Sequence, residues 1–93
     1  MAQLKTTKEI GLMAIEVHQC MKERKLAKMR LKEAYIRWAH NTKTFHHFER
    51  ESPEWDRMMA ATDPEFLALE EAKRRERNAA RRLERAISQG VRV

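Results

Sequence analysis

Residues 52–66 read Ser52-Pro53-Glu54-Trp55-Asp56-Arg57-Met58-Met59-Ala60-Ala61-Thr62-Asp63-Pro64-Glu65-Phe66. The same four-residue signal stands at both ends: an oxygen-bearing side chain, a proline, a glutamate and an aromatic residue. Ser and Asp accept backbone N–H groups at a helix start. Proline fixes φ for the first helical turn, where its missing N–H is not needed, and the glutamate faces the positive end of the helix dipole. The repeat predicts a short helix over 53–62 and a longer one over 64–89, with Gly90 as its C-terminal cap.

Upstream, Thr6-Thr7-Lys8-Glu9 has the spacing of a capping box. Beyond it Ile10, Met13, Val17, Cys20, Ala27, Leu31, Ala34, Trp38, Phe45 and Phe48 recur at three-four spacing, interrupted by Arg24 and Asn41. One helix over about 7–46 follows. Its apolar stripe needs a partner, and the C-terminal half offers one in Trp55, Met59, Thr62, Phe66, Leu69, Glu76, Ala80, Leu83 and Ile87. Folding the chain about residue 50 sets residue i against residue 100 minus i, so Met13 meets Ile87, Val17 meets Leu83, Cys20 meets Ala80, Leu31 meets Leu69, Ala34 meets Phe66, Phe45 meets Trp55 and Arg24 meets Glu76. The expected fold is all-α, a long antiparallel helical hairpin forming a single domain over 1–93. At 1.5 Å per residue its arms run about 55–60 Å.

Composition excludes several classes of function. The 93 residues include two Gly, two Pro and one Cys. Gly-rich phosphate loops and dinucleotide fingerprints need more glycine than this, and a lone Cys20 forms neither an intramolecular disulfide nor a multi-Cys zinc site. No apolar run approaches the roughly 20 residues that span a bilayer, and Met1 to Ile10 lacks the apolar core of a signal peptide. A cytoplasmic protein without membrane partners is the expectation. His46-His47 with Glu49 and Glu51 is the one cluster with metal-binding residue types, but adjacent His side chains diverge by about 100° on a helix. His18 and Cys20, two apart on a helix, also face different ways. No catalytic residue, metal, cofactor or small-molecule substrate is expected, and the protein is read as non-enzymatic.

Two surfaces remain. Leu12, Ile15, Leu26, Met29 and Ile36 form a second apolar stripe on the first helix, about 160° from the first and beyond the reach of a two-helix hairpin. It suits either a second copy, giving a dimeric bundle, or a different protein. The other surface is charged. The chain carries 20 Lys and Arg against 14 Asp and Glu, a net charge of +6. Residues 1–71 balance at 12 of each sign, while 72–93 hold eight basic and two acidic side chains. Arg74, Arg77, Arg81 and Arg85 share the face opposite the apolar stripe of the last helix, with Arg75 and Arg82 to one side; pairs from Glu70 to Arg74 and from Glu71 to Arg75 are expected at four-residue spacing. Residues 49–71 are the acidic counterpart, with eight acids against two Arg.

Lys73-Arg74-Arg75-Glu76-Arg77-Asn78 is similar to the start of the basic region of leucine-zipper transcription factors. That family has small residues three and four positions after the Asn, where this chain has Arg81 and Arg82, so the reading is set aside. Arg74 to Arg82 resembles the arginine-rich RNA-binding peptides of phage antitermination proteins, a resemblance that implies RNA as a ligand class. The expected function is a small binding protein of the adaptor, regulator or inhibitor type, acting stoichiometrically on a macromolecular partner. The alternative is nucleic-acid binding through Arg74, Arg77, Arg81, Arg82 and Arg85.

Overall fold

A computed structural model describes residues 4–92. Three helices run in chain order: α1 over Thr7–Thr42, α2 over Pro53–Ala61 and α3 over Asp63–Ser88. The molecule measures 60 × 19 × 18 Å, which is the rod expected of two long helices folded against each other.

The local signals explain where each helix starts and stops. The Thr6 side chain accepts the Glu9 N–H at 3.1 Å while a Glu9 carboxylate oxygen accepts the Thr6 N–H at 3.3 Å, so the capping box is closed in both directions. At the other end α1 stops at Thr42, four residues short of the predicted limit. Lys43 takes up left-handed φ of 55°, the Thr44 N–H donates to Ala39 O at 2.9 Å and the Lys43 N–H to His40 O at 3.4 Å. This paired closure satisfies the last carbonyls and turns the chain out of the helix. Phe45 consequently leaves the apolar stripe and stands 68% exposed, its ring edge-on to His40. Phe48 does return to the stripe, but from the connector, edge-on to Trp38 at 5.9 Å between ring centres.

Ser52 caps α2 as its sequence predicts, accepting the Trp55 N–H at 3.2 Å. The second copy of the signal behaves differently. Asp63 is already the first residue of α3, and the preceding Thr62 makes no side-chain cap bond. The Thr62 hydroxyl instead donates back to Met58 O at 2.8 Å, and its backbone joins α2 to α3 through Thr62 N–H to Met58 O and Phe66 N–H to Thr62 O. With Thr62 only 2% exposed, the junction is a bend held inside the packed layer, too tight for a separate capping turn at Asp63.

The α1–α3 seam is a strict three-four alternation. On α1 it runs Ile10, Met13, Val17, Cys20, Arg24, Ala27, Leu31, Ala34 and Trp38, all buried or half-buried. On α3 it runs Leu69, Ala72, Glu76, Ala79, Leu83 and Ala86. Leu69, Glu76 and Leu83 lie where the sequence put them, but the second column is Ala72, Ala79 and Ala86 in place of the expected Ala80 and Ile87, both of which are exposed. The rejected column would also include Lys73, whereas the adopted one is alanine throughout. Small side chains at every seventh position let the helices close up along that edge. Arg24 and Glu76 pair within this layer at 2.6 Å, so the fold-back register of 100 minus i holds at its midpoint.

A feature absent from the sequence reading closes the open end. Gly90, at φ 97°, reverses the chain after α3 so that β2, Val91–Arg92, runs parallel to β1, Lys5–Thr6, with Lys5 opposite Val91 and Thr6 opposite Arg92. Only a residue without Cβ adopts that φ at no steric cost.

Candidate interaction surfaces

All five residues of the second stripe are exposed on α1, with Leu26 at the edge of a groove shared with Ala68 and Ala72 of α3. Leu12, Ile15, Leu26, Met29 and Ile36 are 44–59% exposed, well above the half-buried seam residues of the same helix. The side chains completing their three-four alternation are Gln19, Lys22 and Glu33, also exposed. The positions 12, 15, 19, 22, 26, 29, 33 and 36 thus repeat the spacing of the α1–α3 seam on the opposite face of the same helix. Of these two faces α3 covers one, and the other stays exposed.

The arginine surface divides in two. Arg75 and Arg82 reach across the seam to α1, Arg82 to Glu16 at 2.7 Å and Arg75 to Glu23 at 4.0 Å. Arg75 also holds Glu71 at 3.3 Å, as its four-residue spacing predicts. Glu70, by contrast, pairs with Lys73 at 3.4 Å, and Arg74 bonds Glu71, three residues away. That hydrogen bond holds the Glu71 carboxyl below the usual carboxylate range and raises the Arg74 guanidinium. Glu16 and Glu23 were not singled out from the sequence. The signal was present, because each stands opposite a basic residue when the fold-back rule is shifted by two positions.

Arg77, Arg81 and Arg85 are exposed on the outer face of α3 and form no ion pair among the described residues. With Arg74 they line one side of a helix at three-four spacing, about 16 Å from first to last at 1.5 Å per residue. This face and the outer face of α1 point in opposite directions across the rod.

The acidic end near the bend holds a groove of about 200 Å³ between Ala34, Arg37, Trp38, Asn41, Thr62 and Glu65. Arg37 approaches Glu65 Oε1 at 3.7 Å, and Glu65 Oε2 is buried without a hydrogen-bond partner among the described residues. No group of three or more His, Cys, Asp or Glu side chains is placed to hold a metal among the described residues, and His46 and His47 fall in the irregular connector. No described helix is long and apolar enough to cross a membrane. Compared with protein-family models, with curated proteins and with solved structures, the chain gives no match.

Proposed function

We propose that the protein is a small non-enzymatic binding protein that acts stoichiometrically, with the outer face of α1 as its contact surface. The observation that supports this reading is the second three-four stripe, whose five large apolar side chains remain 44–59% exposed after the hairpin has formed. Exposed apolar side chains scattered singly are ordinary on a protein surface; five at seam spacing on one helix form a docking strip. Desolvated apolar contacts at the centre of such a strip dominate affinity, and charges at its rim contribute mainly to steering. The test is capture of partners on immobilised protein, with and without nuclease. Met29→Glu loses the captured partner, whereas the quadruple Arg-to-Gln variant at Arg74, Arg77, Arg81 and Arg85 retains it. The opposite pattern refutes the reading.

A second reading rests on a separate observation, the absence of ion pairs at Arg77, Arg81 and Arg85 among the described residues. Guanidinium groups left free on one helix face match phosphates spaced along a nucleic acid backbone. Binding of this kind weakens steeply with salt, and each Arg-to-Gln change flattens the slope of log K against log salt by about one unit. A slope unaltered by these substitutions excludes it.

A further inference from the structure

We infer that the occupant of the outer face of α1 is the same face of a second copy, packed antiparallel about a two-fold axis between residues 20 and 21; this rests on the reading of that face as a docking surface. The argument is one of register. Antiparallel seams match a position at one phase of the three-four repeat with a position at the other, so only registers seven residues apart are allowed. When paired residues sum to 41, Leu12 meets Met29 of the second copy and Ile15 meets Leu26, and symmetry forms each pair twice. Both polar positions near the centre then meet each other, Gln19 against Lys22, where the amide oxygen can accept from the ammonium.

Charge favours the same arrangement. At the next position outward Lys8 meets Glu33, and on the rim Glu9 lies beside Arg30 of the second copy. Glu16 and Glu23, brought near each other on that same rim, are already engaged by Arg82 and Arg75 of their own chains. The competing registers are worse. A sum of 48 sets Lys22 against Leu26 and Gln19 against Met29, while a parallel in-register pair sets Lys22 against Lys22 and Glu33 against Glu33. Polar residues within a seam select register because misaligned alternatives bury them against apolar groups. The overlap spans residues 8–33, about 39 Å at 1.5 Å per residue, which lies within the 60 Å rod.

The experiment is sedimentation equilibrium of the full chain from about 1 µM to about 1 mM, a range that brackets weak and tight self-association. The expected mass rises with concentration to twice the 11.1 kDa of one chain. Leu26→Glu stays at one chain mass with an unchanged helical spectrum. Lys8→Glu weakens the dimer about tenfold, since it reverses two symmetry-related pairs, and Lys8→Glu with Glu33→Lys restores it. A double variant as weak as Lys8→Glu overturns the register, and a dimer that survives Leu26→Glu overturns the face. A wild type monomeric throughout overturns self-pairing. In that case loss of the captured partner by Met29→Glu keeps the docking-surface reading, and its retention ends that reading as well.

Discussion

Replacing Ala79 by leucine tests which column of α3 forms the seam. Ala79 is 2% exposed and its neighbour Ala80 lies in solvent. One position off the 100 minus i rule, Ala72 shares a groove with Ala27 and Ala86 another with Met13, and the same sum of 99 sets Ala79 across from Cys20. These layers have small residues on both sides or on one, so three added carbons at Ala79 have nowhere to go without pushing the helices apart or forcing side chains off their rotamers. Overpacking of this kind costs about 1–3 kcal/mol. For a domain of this size 1 kcal/mol corresponds to about 4–8 °C in Tm, so Ala79→Leu is expected to melt roughly 5–20 °C below the wild type. Ala80→Leu adds the same three carbons one position along, on an exposed and favourable helical site, and is expected to stay within about 0.5 kcal/mol. Thermal melts followed by circular dichroism at 222 nm measure both, at one fixed protein concentration so that any self-association enters equally. A larger loss for Ala80→Leu than for Ala79→Leu would refute the seam assignment and restore Ala80 and Ile87 to the interface.

The remaining expectations concern the central pair, the caps and acid. Arg24→Leu with Glu76→Leu replaces a half-buried ion pair by an apolar layer continuous with Leu31 and Leu69; the double variant should be at least as stable as wild type by thermal melting, whereas Arg24→Leu alone should lose about 1–2 kcal/mol by stranding Glu76. Ser52→Ala removes the bond to the Trp55 N–H and should cost about 0.5–2 kcal/mol, while Asp63→Ala, which removes no cap bond, should cost no more than the helix-dipole contribution of about 0.3–1 kcal/mol in the same melts. Thr6 holds the Glu9 carboxyl below the usual carboxylate range through hydrogen bonds from its side chain and backbone. A carboxylate lowered on folding adds stability above its unfolded pKa and loses it as pH falls through the lowered folded value, so the protection of first-turn amides of α1, relative to their intrinsic exchange at each pH, should fall on acidification below about pH 4. Thr6→Ala removes the hydroxyl but keeps the backbone N–H, so it should weaken that pH dependence without abolishing it.

Much of the fold was legible because its signals are local. The two Pro-Glu motifs, the capping box and Gly90 each act over four residues, and three of these four sites cap a helix as read. The fourth, Asp63, departs because buried Thr62 is shared between α2 and α3, a tertiary circumstance that the motif cannot report. The exit of α1 at Thr42 was hidden for another reason. Lys43 in left-handed φ is uncommon for a residue with a Cβ, and apolar periodicity runs on through Phe45 and Phe48. The seam of α3 was read one position out in one column because hydrophobicity ranks Ile87 above Ala86, whereas close helix packing selects the smaller side chain. The outer stripe of α1 was legible in full, since surplus apolar residues at seam spacing are visible once the first seam has been assigned. The strand pair at the termini was not legible, because two residues carry no periodicity.

The two candidate surfaces are mechanically independent, and this determines how their tests combine. The rod is 18–19 Å across, with the outer face of α1 on one side and the arginines of α3 on the other, so one compact partner cannot cover both without wrapping the molecule. Pairing two copies through α1 would give a four-helix array in the order α3, α1, α1, α3. At 8–10 Å between neighbouring helix axes, the two α3 axes then lie about 24–30 Å apart, and the arginine faces lie on the outer edges beyond them. The antiparallel two-fold makes the edges run in opposite directions, each presenting Arg74, Arg77, Arg81 and Arg85 outward. Such a dimer could engage two segments of a polyanion or two acidic surfaces, and linking two weak sites raises the apparent affinity without adding a contact. Leu26→Glu would then reduce binding of a long polyanion while leaving that of a short one untouched, whereas loss of the Arg side chains would weaken both and leave the dimer intact. Equal loss of short and long ligand on Leu26→Glu would show that the apolar stripe itself belongs to the polyanion site, against the separation of faces that the hairpin imposes.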